Sequence, residues 1–349
     1  MKHETLNMKF LNGIFTIALL LGTLFASAQT NDTFWLGADI SGTTELEAHD
    51  VQLMSAQGEP RENTALMKEL GLNAVRLRVW VNPMRGFSSK DDVLVMAQRA
   101  KALDMALMID FHYSDWWADP GKQNIPDAWK DCDYEQMKQC LAQHTRETLQ
   151  LLKNFDIDVK WVQVGNETTN GFLWPMGNAH ENMAQYAGLT KAGYEAVKAV
   201  YPEAQVIIHL DAGCDPKRYH FIFDGLQAND CPWDMIGISV YPYWDKEAGL
   251  ETEWQGTIRD FTANVRGLWE RYHTPLMVVE TGVEAKKAVE GKQIMAEIIR
   301  ASREDCNGHC EGVFYWAPEA EGHYPLGAFE GHRPTAIMEA FTEAANQKK

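Results

Sequence analysis

The chain has 349 residues, 45% hydrophobic and 23% charged. That is ordinary globular composition and excludes a disordered, collagenous or coiled-coil protein. With 49 acidic against 32 basic residues the formal charge is -17, so nucleic acid backbones and anionic membranes are not expected partners.

The first residues do not read as domain sequence. Lys2 and Lys9 flank the start, an apolar run spans roughly Ile14 to Phe25, and Ala26-Ser27-Ala28 follows. This pattern predicts a secretory signal peptide over residues 1–28, cleaved before Gln29, and a single domain over 29–349. The apolar core falls short of the ~20 residues a membrane-spanning helix needs. No later stretch reads as a span, so no stable membrane span is expected after signal removal. The expected location is secreted or periplasmic. Export permits disulfides. The simplest local pairings are Cys132–Cys140, Cys214–Cys231 and Cys306–Cys310, while structural zinc is disfavoured because no CxxC pair exists.

Eight apolar runs then recur along the chain, at Phe34–Asp39, Ala74–Trp80, Ala106–Phe111, Val159–Val164, Val206–Leu210, Met235–Val240, Leu276–Val279 and Gly312–Trp316. They are apolar on both faces, as parallel strands covered by helices are. Helical stretches are predicted at 62–70, 91–105 with Ser89 as N-cap, 133–154, 178–200, 257–272, 293–303 and 334–345, the last opened by Pro334. Strands alternating with helices predict an α/β fold, a closed (β/α)₈ TIM barrel. An open dinucleotide-binding sheet would want a glycine-rich first turn, and Asp39-Ile40-Ser41-Gly42-Thr43-Thr44 is not one.

Polar residues collect where these strands end, on the side where barrels build chemistry. Glu167 ends strand four and Glu280 ends strand seven. Strands three steps apart in an eight-strand ring face each other across the mouth. A facing carboxylate pair is what glycosidic bond cleavage requires: one acid protonates the leaving oxygen, and the other attacks the anomeric carbon or activates water. Arg78 is the candidate cation that keeps Glu280 ionised. Arg76 shares its strand face by period two, and one of the two is expected to serve packing or a salt bridge. Asn166 is placed to donate to a sugar hydroxyl, and His112 and Tyr241 to orient carboxylates or bind hydroxyls. Asp39, Asp115 and Asp211 are further candidates for substrate binding. Flat aromatic rings match the apolar faces of pyranoses. Trp80, Trp116, Trp117, Trp174, Tyr243, Trp244 and Trp316 all fall in or beside the loops that follow strands. His209-Leu210-Asp211 and Asp110-Phe111-His112 place possible metal ligands on one strand face, but hydrogen-bond networks are the preferred reading.

Taken together, these blocks resemble the endo-β-1,4-galactanases, family 53 of the glycoside hydrolases. The matching segments are Leu36-Gly37-Ala38-Asp39-Ile40-Ser41, Gly71 to Trp80, Asp110-Phe111-His112-Tyr113-Ser114-Asp115, and Trp161 to Glu167. His209-Leu210-Asp211, Tyr241-Pro242-Tyr243-Trp244 and Val278-Val279-Glu280-Thr281 complete them in order. The resemblance implies a retaining mechanism, with Glu167 as acid/base and Glu280 as nucleophile. It places Asn166 at the 2-hydroxyl and Tyr241 near the nucleophile. The substrate it implies is β-1,4-galactan, the neutral side chain of pectin, with galacto-oligosaccharides as products. Several bacterial relatives carry calcium in long loops late in the barrel. Here Thr281 to Lys287 is short before the next helix, so calcium is in doubt and no cofactor is expected. The alternatives are another retaining β-glycanase, acting on glucan or mannan, and a non-catalytic carbohydrate-binding barrel.

Overall fold

A computed structural model describes residues 33–322 and 324–347, so the predicted signal peptide lies outside the described residues. The eight apolar runs are the eight strands of a closed parallel barrel. These are β1 Trp35–Asp39, β2 Ala74–Val79, β3 Ala106–Phe111, β4 Trp161–Val164, β5 Gln205–Leu210, β6 Met235–Val240, β7 Leu276–Thr281 and β8 Cys310–Trp316. Each pairs with the next in sequence, and β8 returns to β1.

Around them lie α1 Thr43–Ala48, α2 Asn63–Glu69, α3 Lys90–Ala102, α4 Tyr134–Asn154, α5 Met183–Val200, α6 Pro216–Ala228, α7 Pro242–Glu247, α8 Trp254–Tyr272, α9 Ala288–Glu304 and α10 Ala336–Asn346. Local chemistry explains their ends. The Ser89 side chain accepts from the Asp92 amide, as predicted, and Asp133 with Gln136 forms a reciprocal capping box at α4. α5 begins later than expected because the Asn178 side chain accepts the amides of His180 and Glu181 and holds a turn there. Asn182 then caps the helix. α1, α6 and α7 were not expected from the sequence, although Asp215 and Pro216 supply an N-cap and an N1 proline for α6. Pro334 does not open the last helix. It pairs with Phe329 in a two-stranded ribbon, β9 Phe329–Glu330 with β10 Arg333–Pro334, and Thr335 precedes α10.

The barrel interior is filled in layers. Ala74, Met108, Trp161, Ile207, Met235, Met277, Val279 and Phe314 form a fully buried apolar floor. The Phe314 ring occupies the space over Gly37, where a Cβ would sit 2.3 Å from it, so no side chain fits at that position. By the period of two, the next inward residues up from this floor on β1 to β5 are polar, Asp39, Arg76, Asp110, Gln163 and His209, and on β6 Gly237 is followed by Ser239 one step higher. All six polar residues are buried.

The predicted disulfides are not present: all six cysteines are free. The Cys132 and Cys140 sulfurs lie 3.6 Å apart without a bond. Cys310 Sγ donates to the Gly312 carbonyl and Cys231 Sγ to that of Pro232. Among the described residues no helix is long and apolar enough to cross a membrane.

Candidate active site

The two glutamates reach the mouth by different local devices. β4 ends in a turn in which Gly165 has φ 89° and Glu167 φ 45°. The left-handed backbone at Glu167 is costly for a side-chain-bearing residue and persists because its surroundings fix it. Gln123 Nε2 donates to the Asn166 carbonyl, Asn166 Nδ2 to the Ala118 carbonyl, and the Thr168 amide to the His209 carbonyl. Glu280 arrives through an irregularity in β7. Ile238 pairs with Val278, but Ser239 pairs with Glu280, leaving Val279 as an extra residue. Strict alternation would send Glu280 outward with Val278. The bulge turns it inward instead, a use bulges often have beside active sites.

A carboxylate oxygen of Glu167 and one of Glu280 lie within 4.8 Å of each other. That is the close spacing of about 5–5.5 Å used in retaining hydrolysis, not the about 6.5–9.5 Å of inverting enzymes. Arg76, not Arg78, is the cation of the nucleophile candidate. Fully buried, Arg76 pairs with Asp39 at 2.7 Å, Asp110 at 2.9 Å and Glu280 at 2.8 Å. It also donates to Gln163 Oε1 and Asn166 Oδ1. The Glu280 contact is a close charge approach without hydrogen-bond alignment, so Oε1 keeps its lone pairs free. Tyr241 donates to Glu280 Oε2 at 3.3 Å. Arg78 sits one step higher. It donates to Ser88 Oγ and lies against the rings of both Trp80 and Trp117, at 4.4 and 3.9 Å, in the corner these two perpendicular indoles make.

These surroundings divide the labour of the pair. Burial, then the facing charge of Glu280, holds the Glu167 carboxyl well above the ordinary range. Burial also raises Glu280, but the Arg76 charge opposes it. Of the two, Glu280 is therefore the group that carries the negative charge, and Glu167 the one that keeps a proton. Ser239 donates to Glu167 Oε1 at 2.7 Å, and His209 Nε2 contacts Ser239 Oγ at 2.8 Å.

A cavity of about 470 Å³ opens over the pair. Its walls include the predicted His112, Asn166, Asp211, Tyr241, Trp117, Trp244 and Trp316. Other predicted residues lie elsewhere. Both Asp39 oxygens are engaged, by Arg76 and by Ser41, beneath the cavity. Trp80 is buried and packs against Trp116 and Trp117, backing the wall without forming it. Asp115 accepts the amides of Asn82 and Asp127 and ties loops together. Trp174 donates to the Asn170 carbonyl within its own loop. Tyr243 lines an adjoining hollow with Lys246 and Glu253, and Trp116 stands half-exposed outside the cavity. His112 is neutral, its basicity lowered by burial. Its Nε2–H bonds Asp110 at 2.9 Å and its Nδ1 accepts the Ala118 amide. It therefore fixes a loop and a buried carboxylate and does not orient either glutamate. Asp211 is joined to Arg218 and to the Thr169 hydroxyl.

Sequence reasoning missed Ser239, Gln163, Arg218, Asp245 and Tyr324. Ser239 and Gln163 had a signal, since Ser239 lies two residues before Tyr241 and Gln163 four before Glu167. Tyr324, which packs edge-on against Trp316 at 4.8 Å, comes from the segment after β8 and had none. Glu167, His209 and Glu280 are close enough together to ligate an ion. They fit one poorly, because both His209 nitrogens already face Ser239, Gln163 and Asn166.

A sequence model described as glycosyl hydrolase family 53 matches residues 35–331. A probable arabinogalactan endo-β-1,4-galactanase A of Aspergillus fumigatus is 32% identical over 269 residues, covering 75% of this chain and 73% of the relative. An endo-β-1,4-galactanase of Bacillus subtilis is 29% identical over 317 residues, covering 82% and 70%. Among solved structures, the Ignisphaera aggregans GH53 catalytic domain superposes with TM-score 0.79 at 29% identity, covering 90% of this chain and 97% of that one. A fungal β-1,4-galactanase gives 0.79 at 24% identity, covering 88% and 99%, and supports the fold.

Proposed function

The chain belongs to glycosyl hydrolase family 53 and is a glycoside hydrolase, and from that premise we propose that it cuts β-1,4-galactan internally by a retaining double displacement. The observation that carries this reading is the Glu167–Glu280 pair, within 4.8 Å at the base of an aromatic-walled cavity. Glu280 attacks the anomeric carbon as Glu167 gives its proton to the departing oxygen. The resulting ester removes the Glu280 charge, and with it the strongest repulsion holding the Glu167 pKa up. Glu167 then takes a proton from water, which releases the glycosyl group. No cofactor enters this scheme. We also propose export, supported by the signal-like residues 1–28, to the medium or the periplasm.

The experiment is the product profile of residues 29–349 on linear β-1,4-galactan beside E280Q. Short galacto-oligosaccharides are expected early from the wild type and not from the variant. Activity on glucan or mannan with none on galactan would refute the substrate, and binding without release would point to a non-catalytic barrel. The secreted protein is expected to begin at Gln29 by N-terminal sequencing.

A further inference from the structure

We propose that Ser239, aligned by His209, is a positioning residue that confines the Glu167 proton to the oxygen facing the substrate. This rests on the assignment of Glu167 as the acid. Hydrogen-bond direction is set from Arg76 outward. Arg76 Nε donates to Gln163 Oε1 at 2.7 Å, which fixes the Gln163 amide. Gln163 Nε2 therefore faces His209 Nδ1, at 3.0 Å, as a donor. The Glu167 amide donates toward the same nitrogen at 3.4 Å. Asn166 Oδ1, 2.9 Å away, accepts from Arg76 Nη2 and has a second lone pair, but a hydrogen on Nδ1 would meet the Gln163 Nε2 hydrogen head-on at 3.0 Å. Two donors at Nδ1 make it the acceptor, and the His209 hydrogen is on Nε2.

From there only one direction is left. His209 Nε2–H donates to Ser239 Oγ at 2.8 Å, and the single Ser239 hydrogen goes to Glu167 Oε1 at 2.7 Å. With Oε1 occupied by a donor, the acidic proton must sit on Oε2, which has no partner among the described residues and belongs to a side chain lining the cavity. Without Ser239, the proton divides between two oxygens, one of which faces the protein. The charged and titratable groups that face Glu167 are Glu280 on β7, Asp211 and His209 at β5, Arg76 on β2, and Tyr241 and Tyr324. All of them remain in place when Ser239 is changed.

The test is S239A, measured as kcat/KM on galactan and on a 2,4-dinitrophenyl β-galactobioside. Dinitrophenolate leaves without protonation, so kcat/KM on it reports glycosylation without the acid. General acid–base catalysis is worth roughly 10²–10⁴-fold, so a misdirected proton is expected to cost roughly 10–100-fold on galactan and under about threefold on the activated substrate. S239C, which keeps a weak donor, is expected to fall between. The alkaline limb of the galactan profile should move to higher pH, because the Ser239 hydrogen bond favours the ionised form of Glu167. Equal losses on both substrates would mean a merely structural role and overturn the proposal, as would no loss on either. Unfolding curves of S239A and S239C separate misfolding from these outcomes. E167Q is the control for the premise: if it cleaves galactan like wild type, the assignment of Glu167 fails and not the relay.

Discussion

Arg76 carries its charge with no exposed surface and divides it among Asp39, Asp110 and Glu280. Removing one member of such a buried network leaves the others uncompensated, typically at about 3–5 kcal/mol. R76M is therefore expected to lower stability by about that amount. R76K keeps a charge but cannot supply the planar fork that four acceptors share. Its effect on pH is the sharper check. Arg76 pulls the Glu280 pKa down against burial. Weakening that pull lets the pKa rise, so the acid limb of kcat/KM in R76K should move to higher pH than in wild type. An unmoved limb, measured on the activated substrate, would mean that Glu280 does not depend on Arg76 for its charge. Period two placed Arg76 and Arg78 on one face of β2 and could go no further. What separates them is depth: one step along the strand exchanges a ring of carboxylates for a corner of two indoles.

At the scale of elements, the order of eight strands was legible because each is an apolar run bounded by breakers, and the caps at Ser89 and Asp133 because capping is local. The bulge in β7 was not legible. Val278, Val279 and Glu280 carry no mark saying which residue is extra, since that depends on the register of β6 and β8. The glutamate was found because it ends a strand, although simple alternation would have aimed it outward. Aromatics were legible as a group but not individually. Ring count marks a sugar site, whereas burial decides which rings line it, and burial depends on how the loop after β3 folds back over β2. Trp80 and Trp116 make the contrast testable. Trp80 is 3% exposed and Trp116 53% exposed, and their ring centroids lie 4.8 Å apart at a 30° tilt. W80A should destabilise by about 3–5 kcal/mol, as buried aromatic truncations do. W116A should leave the unfolding midpoint nearly unchanged. Thermal unfolding of both variants checks this, and equal shifts would refute the division into backing and surface rings.

For the molecule as a whole, the acid groups buried around the mouth make stability depend on pH. Glu319, just beyond β8, is 5% exposed, and its Oε2 has no hydrogen-bond partner. Burial pushes its carboxyl up to about 8, with the charge of Asp39 adding to the rise and Asn63 and Arg78 opposing it. Asp245, in the cavity wall, is raised by burial to about 6. A carboxyl whose folded pKa exceeds its unfolded one binds its proton more tightly in the native state. Its contribution is complete below the unfolded pKa, near 4.5 for Glu319, and is lost as pH rises through about 8. The fold should therefore weaken across that window, by on the order of a few kcal/mol from Glu319. E319Q is a neutral mimic of the protonated acid and has no charge to acquire. At pH 5 it should match the wild type, and at pH 9 it should unfold roughly 5 °C higher. Midpoints measured at both pH values decide the matter. A gain that is the same at both would assign the effect to packing, and no gain at pH 9 would mean that Glu319 is already ionised there at little cost, through a rearrangement that brings it water or Arg78.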